Sequence, residues 1–205
     1  FARSQADGCL VWENMSERFF KDLVKLDIPH IVLNRIPQNY HGSYVIHDDN
    51  IDFNLAMEYL LKANHKNIAF ISNQKINEIN EYFNDIVNFL QENNLQFFYL
   101  SNSNHNEMIE FLENKKITGI IAINDITGKQ TVDLIRQAGG KIPEDYSIIV
   151  NNYTELNHSV TLKITGIKTP WQEIAYKGTE LLLSMIAGKS TGRKPVCKVI
   201  APKVT

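Results

Sequence analysis

Two cysteines among 205 residues leave this chain almost no material for a disulfide framework. Cys9 and Cys197 lie far apart in apolar segments, which favours buried free thiols, with a disulfide between them as the alternative. No apolar run approaches the roughly 20 residues of a membrane-spanning helix, and no charged-then-apolar leader opens the chain. Basic and acidic residues nearly balance, at 21 and 23, so the basic excess of a nucleic-acid-binding face is missing too. These absences predict a soluble, cytoplasmic globular protein.

Signatures of catalysis are also missing. Gly188-Lys189-Ser190-Thr191 ends like a phosphate-binding loop, but the first glycine of that motif would fall at Leu183, inside a predicted helix. The sequence has no His-Glu-x-x-His or Cys-x-x-Cys metal spacing. No nucleophile, base and orienting group can be assembled from its residues. The sequence therefore predicts a protein that is not an enzyme and that holds no cofactor and no metal.

What the sequence does contain is an alternation of short apolar runs with amphipathic stretches. Runs such as Ile31–Leu33 and Ile68–Ile71 are typical of strands buried on both faces. Between them the apolar residues follow helical spacing, as Phe53, Met57 and Leu60 do. Strands separated by helices of this length predict parallel sheets, which bind ligands beyond the carboxyl ends of their strands.

Several helix boundaries can be placed from the same pattern. Ser16 is positioned to cap one helix, and Gly139-Gly140 supplies the left-handed end of another. Helical spacing also predicts helices over 79–90 and 108–112.

A set of longer motifs runs along almost the whole chain in a fixed order. They are Asp7–Val11, Ile28–Arg35, Val45–Leu60, Asn64–Ile71, Ile121–Asp125, Ala138–Ile149 and Ile164–Lys168. In this order and spacing they resemble the effector-binding core of the LacI/GalR family of bacterial transcriptional regulators.

The resemblance implies an α/β fold of the type I periplasmic-binding-protein kind, with two similar three-layer lobes whose parallel sheets are joined by crossover strands. Residues 1–64 and 170–194 are expected to form the DNA-proximal lobe, and residues 65–169 and 195–205 the distal lobe. The chain resembles the family from the third strand of the first lobe onward. We therefore expect the first βαβα portion and the helix-turn-helix headpiece to be missing from it.

The resemblance also implies an effector site in the cleft between the lobes. The positions that it maps to this site are Trp12, Asp48, Tyr82, Asn124, Asn152 and Trp171. Tyr82 stands where the family usually has an effector-holding arginine, and Asn152 stands where an aspartate grips sugar hydroxyls. A desolvated anion needs a cationic partner, so the expected effector is neutral, a sugar or glycoside stacked on Trp12. Lys129 and Lys168 are the nearby cations that would reverse this expectation.

Two alternatives stay open at this point. Aromatic residues at helical spacing are also typical of core packing, and Asp48-Asp49 is typical of helix capping, so the cleft could have lost effector binding. The function implied by the resemblance is the effector-binding and dimerisation core of a regulator, which reaches operator DNA through a headpiece and forms a homodimer. An exported solute-binding protein or receptor ectodomain of the same fold is the alternative function.

Overall fold

A computed structural model describes residues 6–12, 15–34, 36–37, 39–72, 96–101, 105–151, 164–188, 197–200 and 203–204. The helices within these ranges are α1 (Glu17–Lys25), α2 (Asp49–Lys62), α3 (His105–Asn114), α4 (Asp125–Gln137) and α5 (Trp171–Ile186). The strands are β1 (Cys9–Trp12), β2 (His30–Asn34), β3 (Tyr44–His47), β4 (Asn67–Ser72), β5 (Gln96–Ser101), β6 (Gly119–Ala122), β7 (Ser147–Val150), β8 (Thr165–Lys168), β9 (Cys197–Ile200) and β10 (Lys203–Val204). The predicted helix over 79–90 lies outside the described residues.

The chain divides into two compact units, each assembled from two separate stretches. The first unit comprises Phe1–Asp48 and Pro170–Ala201, and the second comprises Asp49–Thr169 and Pro202–Thr205. Each unit has a largely parallel sheet with helices on both faces, which confirms the predicted α/β fold class.

The first unit is a four-stranded parallel sheet in the order β1-β2-β3-β9. On one face, Phe20 and Leu23 of α1 pack with buried strand residues of β1 and β2. On the other face, Ile174 and Leu182 of α5 pack with Leu33 and other strand residues. Each such buried side chain contributes about 1.5–3 kcal/mol relative to an exposed one, so these two helices hold the sheet between them.

The second unit is a six-stranded sheet in the order β10-β8-β7-β6-β4-β5, parallel except for the β10–β8 pair. Helix α2 covers one face, where Met57 and Leu60 pack against Phe70 and other strand residues. Helices α3 and α4 cover the opposite face, where Leu112 and Ile135 join the core. The unit therefore has the predicted three layers.

The division differs from the predicted lobe boundaries in two places. Helix α2 was expected in the lobe of residues 1–64, but its apolar stripe packs on the second unit's sheet. Strand β9 was expected in the lobe of residues 195–205, but it pairs in parallel with β3 of the first unit. In both cases the segment follows its packing partner and not its neighbours in sequence.

The helix ends agree with their sequence signals. Ser16 caps α1, because its Oγ accepts a hydrogen bond from the Phe19 amide at 3.3 Å. Helix α4 is followed by Gly139 with φ +86°, a left-handed conformation that glycine adopts at no steric cost. Helix α3 extends beyond the predicted 108–112 at both ends.

Two other features concern the expectations about cysteines and membrane-spanning helices. Cys9 is a free thiol whose pKa is raised by burial. No helix in the described part of the chain is long and apolar enough to cross a membrane.

The pH dependence of the second unit's stability should follow His65. Its Nδ1 lies 2.9 Å from Thr118 Oγ1, and burial lowers its pKa below the ordinary 6.5. Below about pH 6.5 the unfolded chain then takes up this proton more readily than the folded chain, so the contribution of His65 to stability falls as the pH falls. We expect the drop in melting temperature from about pH 7.5 to about pH 5.5 to be smaller in His65→Gln.

His41, which is exposed, supplies the matched control for this prediction. His41→Gln should leave the pH dependence of the melting temperature unchanged. An equal change in both variants would mean that the effect does not come from the burial of His65.

Candidate functional site

The carboxyl edge of the first unit's sheet carries a cluster of aromatic side chains. The parallel strands β1 and β3 end at Trp12 and His47, and helix α5 begins at Trp171 after Pro170. In parallel α/β sheets this edge is where ligands bind. The fold therefore brings together two of the residues predicted for the effector site, Trp12 and Trp171.

The three rings of this edge contact one another in series. The ring centroids of Trp12 and Trp171 are 5.3 Å apart at an interplanar angle of 54°. Those of Trp171 and His47 are 5.4 Å apart at 82°, an edge-to-face arrangement. His47 is buried, Trp171 is half-buried and Trp12 is 47% exposed. Trp171 thus lies between a buried ring and an exposed indole. Tilted and edge-to-face contacts at these distances are favourable for aromatic pairs.

Asp48 lies at the same edge, directly after β3. It is half-buried and precedes the first residue of α2. A carboxylate at this position suits the partial positive charge of a helix N-terminus, the role that sequence reasoning gave as the alternative to ligand binding.

Asn124 of the second unit has a structural role that limits its use as a ligand residue. Its Oδ1 accepts a hydrogen bond from the Thr127 amide at 2.9 Å and so caps helix α4. The side-chain NH₂ group is the part of Asn124 that this cap leaves available to a ligand.

Two buried polar atoms near Asn124 were missed by sequence reasoning. Asn151 follows β7 and is 7% exposed. Its backbone N–H donates a hydrogen bond to the Ala122 carbonyl at 2.8 Å. Thr127, in the first turn of α4, is 4% exposed. Within the described part of the chain, neither Asn151 Oδ1 nor Thr127 Oγ1 has a hydrogen-bond partner. Buried polar atoms without partners are costly, which makes both atoms candidates for a ligand contact.

The signal for Asn151 was present in the sequence. The Asn151-Asn152 pair follows a predicted strand, and the motif comparison favoured Asn152. Asn152 and Tyr82 both lie outside the described residues, so their place in the site stays a prediction. Among the described residues, no group of three or more His, Cys, Asp or Glu side chains could hold a metal ion.

Comparison with known proteins shows which family this architecture belongs to. Residues 57–205, well over half of the chain, match the model of the periplasmic binding protein-like domain. The chain belongs to this family.

Among the relatives of this periplasmic binding protein-like domain is the HTH-type transcriptional repressor PurR of Aliivibrio salmonicida (strain LFI1238). It is 26% identical over 94% of this chain and 62% of its own length. The chain thus spans about three fifths of the length of the curated relatives that it matches. The resemblance to the core of such regulators is thereby confirmed.

Two solved structures share the fold of the domain. A LacI family transcriptional regulator from Enterococcus faecalis V583, with bound ribose, superposes with a TM-score of 0.81 at 21% identity, covering 99% of this chain and 77% of its own. A periplasmic binding protein/LacI transcriptional regulator from Alkaliphilus metalliredigens QYMF, complexed with D-xylulofuranose, has a TM-score of 0.78 at 18% identity, covering 98% and 76%. At this level of identity they show the fold alone.

Proposed function

We propose that this chain is the effector-binding and dimerisation core of a cytoplasmic transcriptional regulator and that its effector is a small neutral sugar or glycoside. In this proposal the chain catalyses no reaction. A DNA-binding headpiece elsewhere in the full-length protein contacts the operator, and a two-fold homodimer matches the two-fold symmetry typical of operators. The names of the relatives as transcriptional repressors and regulators favour this function over an exported solute-binding protein.

The single observation that carries the proposal is the Trp12–Trp171 pair. A half-exposed indole held against a second ring offers a rigid apolar face at the ligand-binding edge of the sheet. The C–H face of a sugar ring can pack on such a surface while its hydroxyls bind polar groups around it. Asp48 offers an acceptor for such a hydroxyl at the same edge of the first unit's sheet.

The expectation of a neutral effector is supported by the state of Lys129. Its Nζ lies 2.8 Å from Asp133 Oδ2, so its charge is already balanced by a carboxylate. The ligands named with the two solved relatives, ribose and D-xylulofuranose, are both uncharged sugars.

Intrinsic fluorescence should report effector binding directly, because the chain has two tryptophans and both lie in this cluster. We expect a saturable change in emission with at least one neutral pentose or glycoside. The phosphorylated forms should give a weaker response, since a desolvated phosphate needs a cationic partner.

Two results would contradict the proposal. Tighter binding of the phosphorylated sugars, lost in Lys129→Ala or Lys168→Ala, would show an anionic effector. No response to either set, together with no calorimetric heat, would mean that this core has lost effector binding.

A further inference from the structure

A concave surface lies beside helix α1, on the first unit. It encloses about 750 Å³, within the range of small-molecule sites. It is lined by Met15, by residues of α1, by His30 at the start of β2, and by residues 37 and 39–42, and we call it the α1 groove. Neither Trp12 nor Trp171 is among the residues that line it.

The floor of the α1 groove is aromatic. The ring centroids of Phe20 and Tyr40 are 5.1 Å apart, and those of His30 and Tyr40 are 6.0 Å apart. Tyr40 is held by its hydroxyl, which donates to the Ser43 carbonyl at 3.2 Å. It also packs so closely on Gly42 that a Cβ there would collide with the ring. The floor is therefore a fixed surface.

The ring of His30 is also fixed within this surface by a hydrogen bond. Its Nδ1 lies 2.8 Å from the Ile28 carbonyl oxygen. Because a carbonyl oxygen only accepts, Nδ1 must donate. The orientation of the His30 ring is therefore set by the backbone.

The walls of the groove are apolar and exposed. Met15 and Val24 both line it and are 46% and 69% exposed. Apolar side chains clustered at a concave surface are typical of a binding site.

The rim carries an unbalanced positive charge. Lys21 and Glu17 form an ion pair at 2.7 Å, so their charges cancel. Lys25, in the last turn of α1, also lines the groove and has no ion-pair partner among the described residues. An anionic group entering the groove would find this ammonium group uncommitted.

We propose that the α1 groove binds a small planar aromatic molecule that bears a carboxylate. Its ring packs on Phe20 and Tyr40 between the walls formed by Met15 and Val24, and its carboxylate pairs with Lys25. This site is independent of the proposed sugar site, because the two share no residue.

The test uses naphthalene-2-carboxylate and its uncharged amide as probes, with binding to this chain measured by calorimetry. We expect the carboxylate to bind more tightly than the amide. Val24→Glu should weaken the binding of the carboxylate about tenfold or more, because the new glutamate repels the probe's negative charge and disrupts the apolar wall. Lys25→Gln should weaken the binding of the carboxylate severalfold and leave the binding of the amide unchanged. The variant should therefore no longer prefer the carboxylate over the amide.

Matched controls are available outside the groove. Leu26→Glu changes an exposed apolar residue of the α1 C-cap that does not line the groove, and Lys62→Gln removes an exposed lysine from α2. Both should leave the binding of the carboxylate unchanged.

Three outcomes would overturn the proposal: no binding of either probe, equal binding of both, or binding unaffected by Val24→Glu. A fourth is a change in solution mass, by light scattering, in Val24→Glu alone. That result would make the groove an interface between two copies of the chain. The sugar site is tested separately, by tryptophan fluorescence. A negative result with the aromatic probes therefore does not contradict the proposed effector site.

Discussion

Leu60→Ala is expected to lower the free energy of unfolding of the second unit by about 2–5 kcal/mol. Leu60 is 1% exposed and lies in the core between α2 and the second unit's sheet. Truncation removes buried methyl groups and leaves a cavity that the surrounding strands can close only in part. Urea unfolding followed by circular dichroism measures the change.

Tyr59 gives the control on the same turn of α2. It is 47% exposed, so Tyr59→Ala should change the stability by less than about 1 kcal/mol. Similar losses in the two variants would mean that α2 does not pack on this sheet with the face described.

Trp12→Ala should weaken the binding of a neutral sugar by about 1–3 kcal/mol, or about 5- to 150-fold in affinity. The variant removes the exposed half of the Trp12–Trp171 pair and leaves the sheet edge beneath it intact. Trp12→Phe keeps an aromatic face and should lose less sugar affinity than Trp12→Ala. Calorimetric titration with the sugar found by the fluorescence screen gives the affinity.

Leu10→Ala is the matched change for this experiment, because Leu10 lies two residues earlier on β1 and is 38% exposed. Its effect on sugar affinity should be small. If Trp12→Ala bound the sugar as tightly as the parent chain, Trp12 would be a packing residue and the sugar would bind elsewhere.

The alternation of elements was predictable because it depends on local spacing alone. Periodicity finds the apolar stripe of Phe53, Met57 and Leu60, but the same stripe would fit any apolar sheet face. Which sheet it covers is set by where the chain crosses between units, and no local pattern marks that point. Helix α2 was therefore predicted with correct residues and assigned to the wrong unit.

The site was harder to predict, because one residue type can serve two purposes. An asparagine after a strand and before a helix is as suitable for capping as for binding a ligand, and the structure shows that Asn124 caps α4. For Asn151, burial decides its importance, and burial depends on contacts made by residues far away in sequence. Trp12 and Trp171 are 159 positions apart, so their contact follows from the fold and not from spacing.

The discontinuous division of the chain has a consequence for its synthesis on the ribosome. Asp49–Thr169 contains all of the second unit except its last four residues, and it is translated before Pro170–Ala201 completes the first unit. Until α5 emerges, Ile31, Leu33 and Val45 lack the helix that covers them. Domains usually fold in the order in which they are made. Here the order should be reversed, with Asp49–Thr169 folding first and chaperones shielding strands β2 and β3 until α5 has emerged.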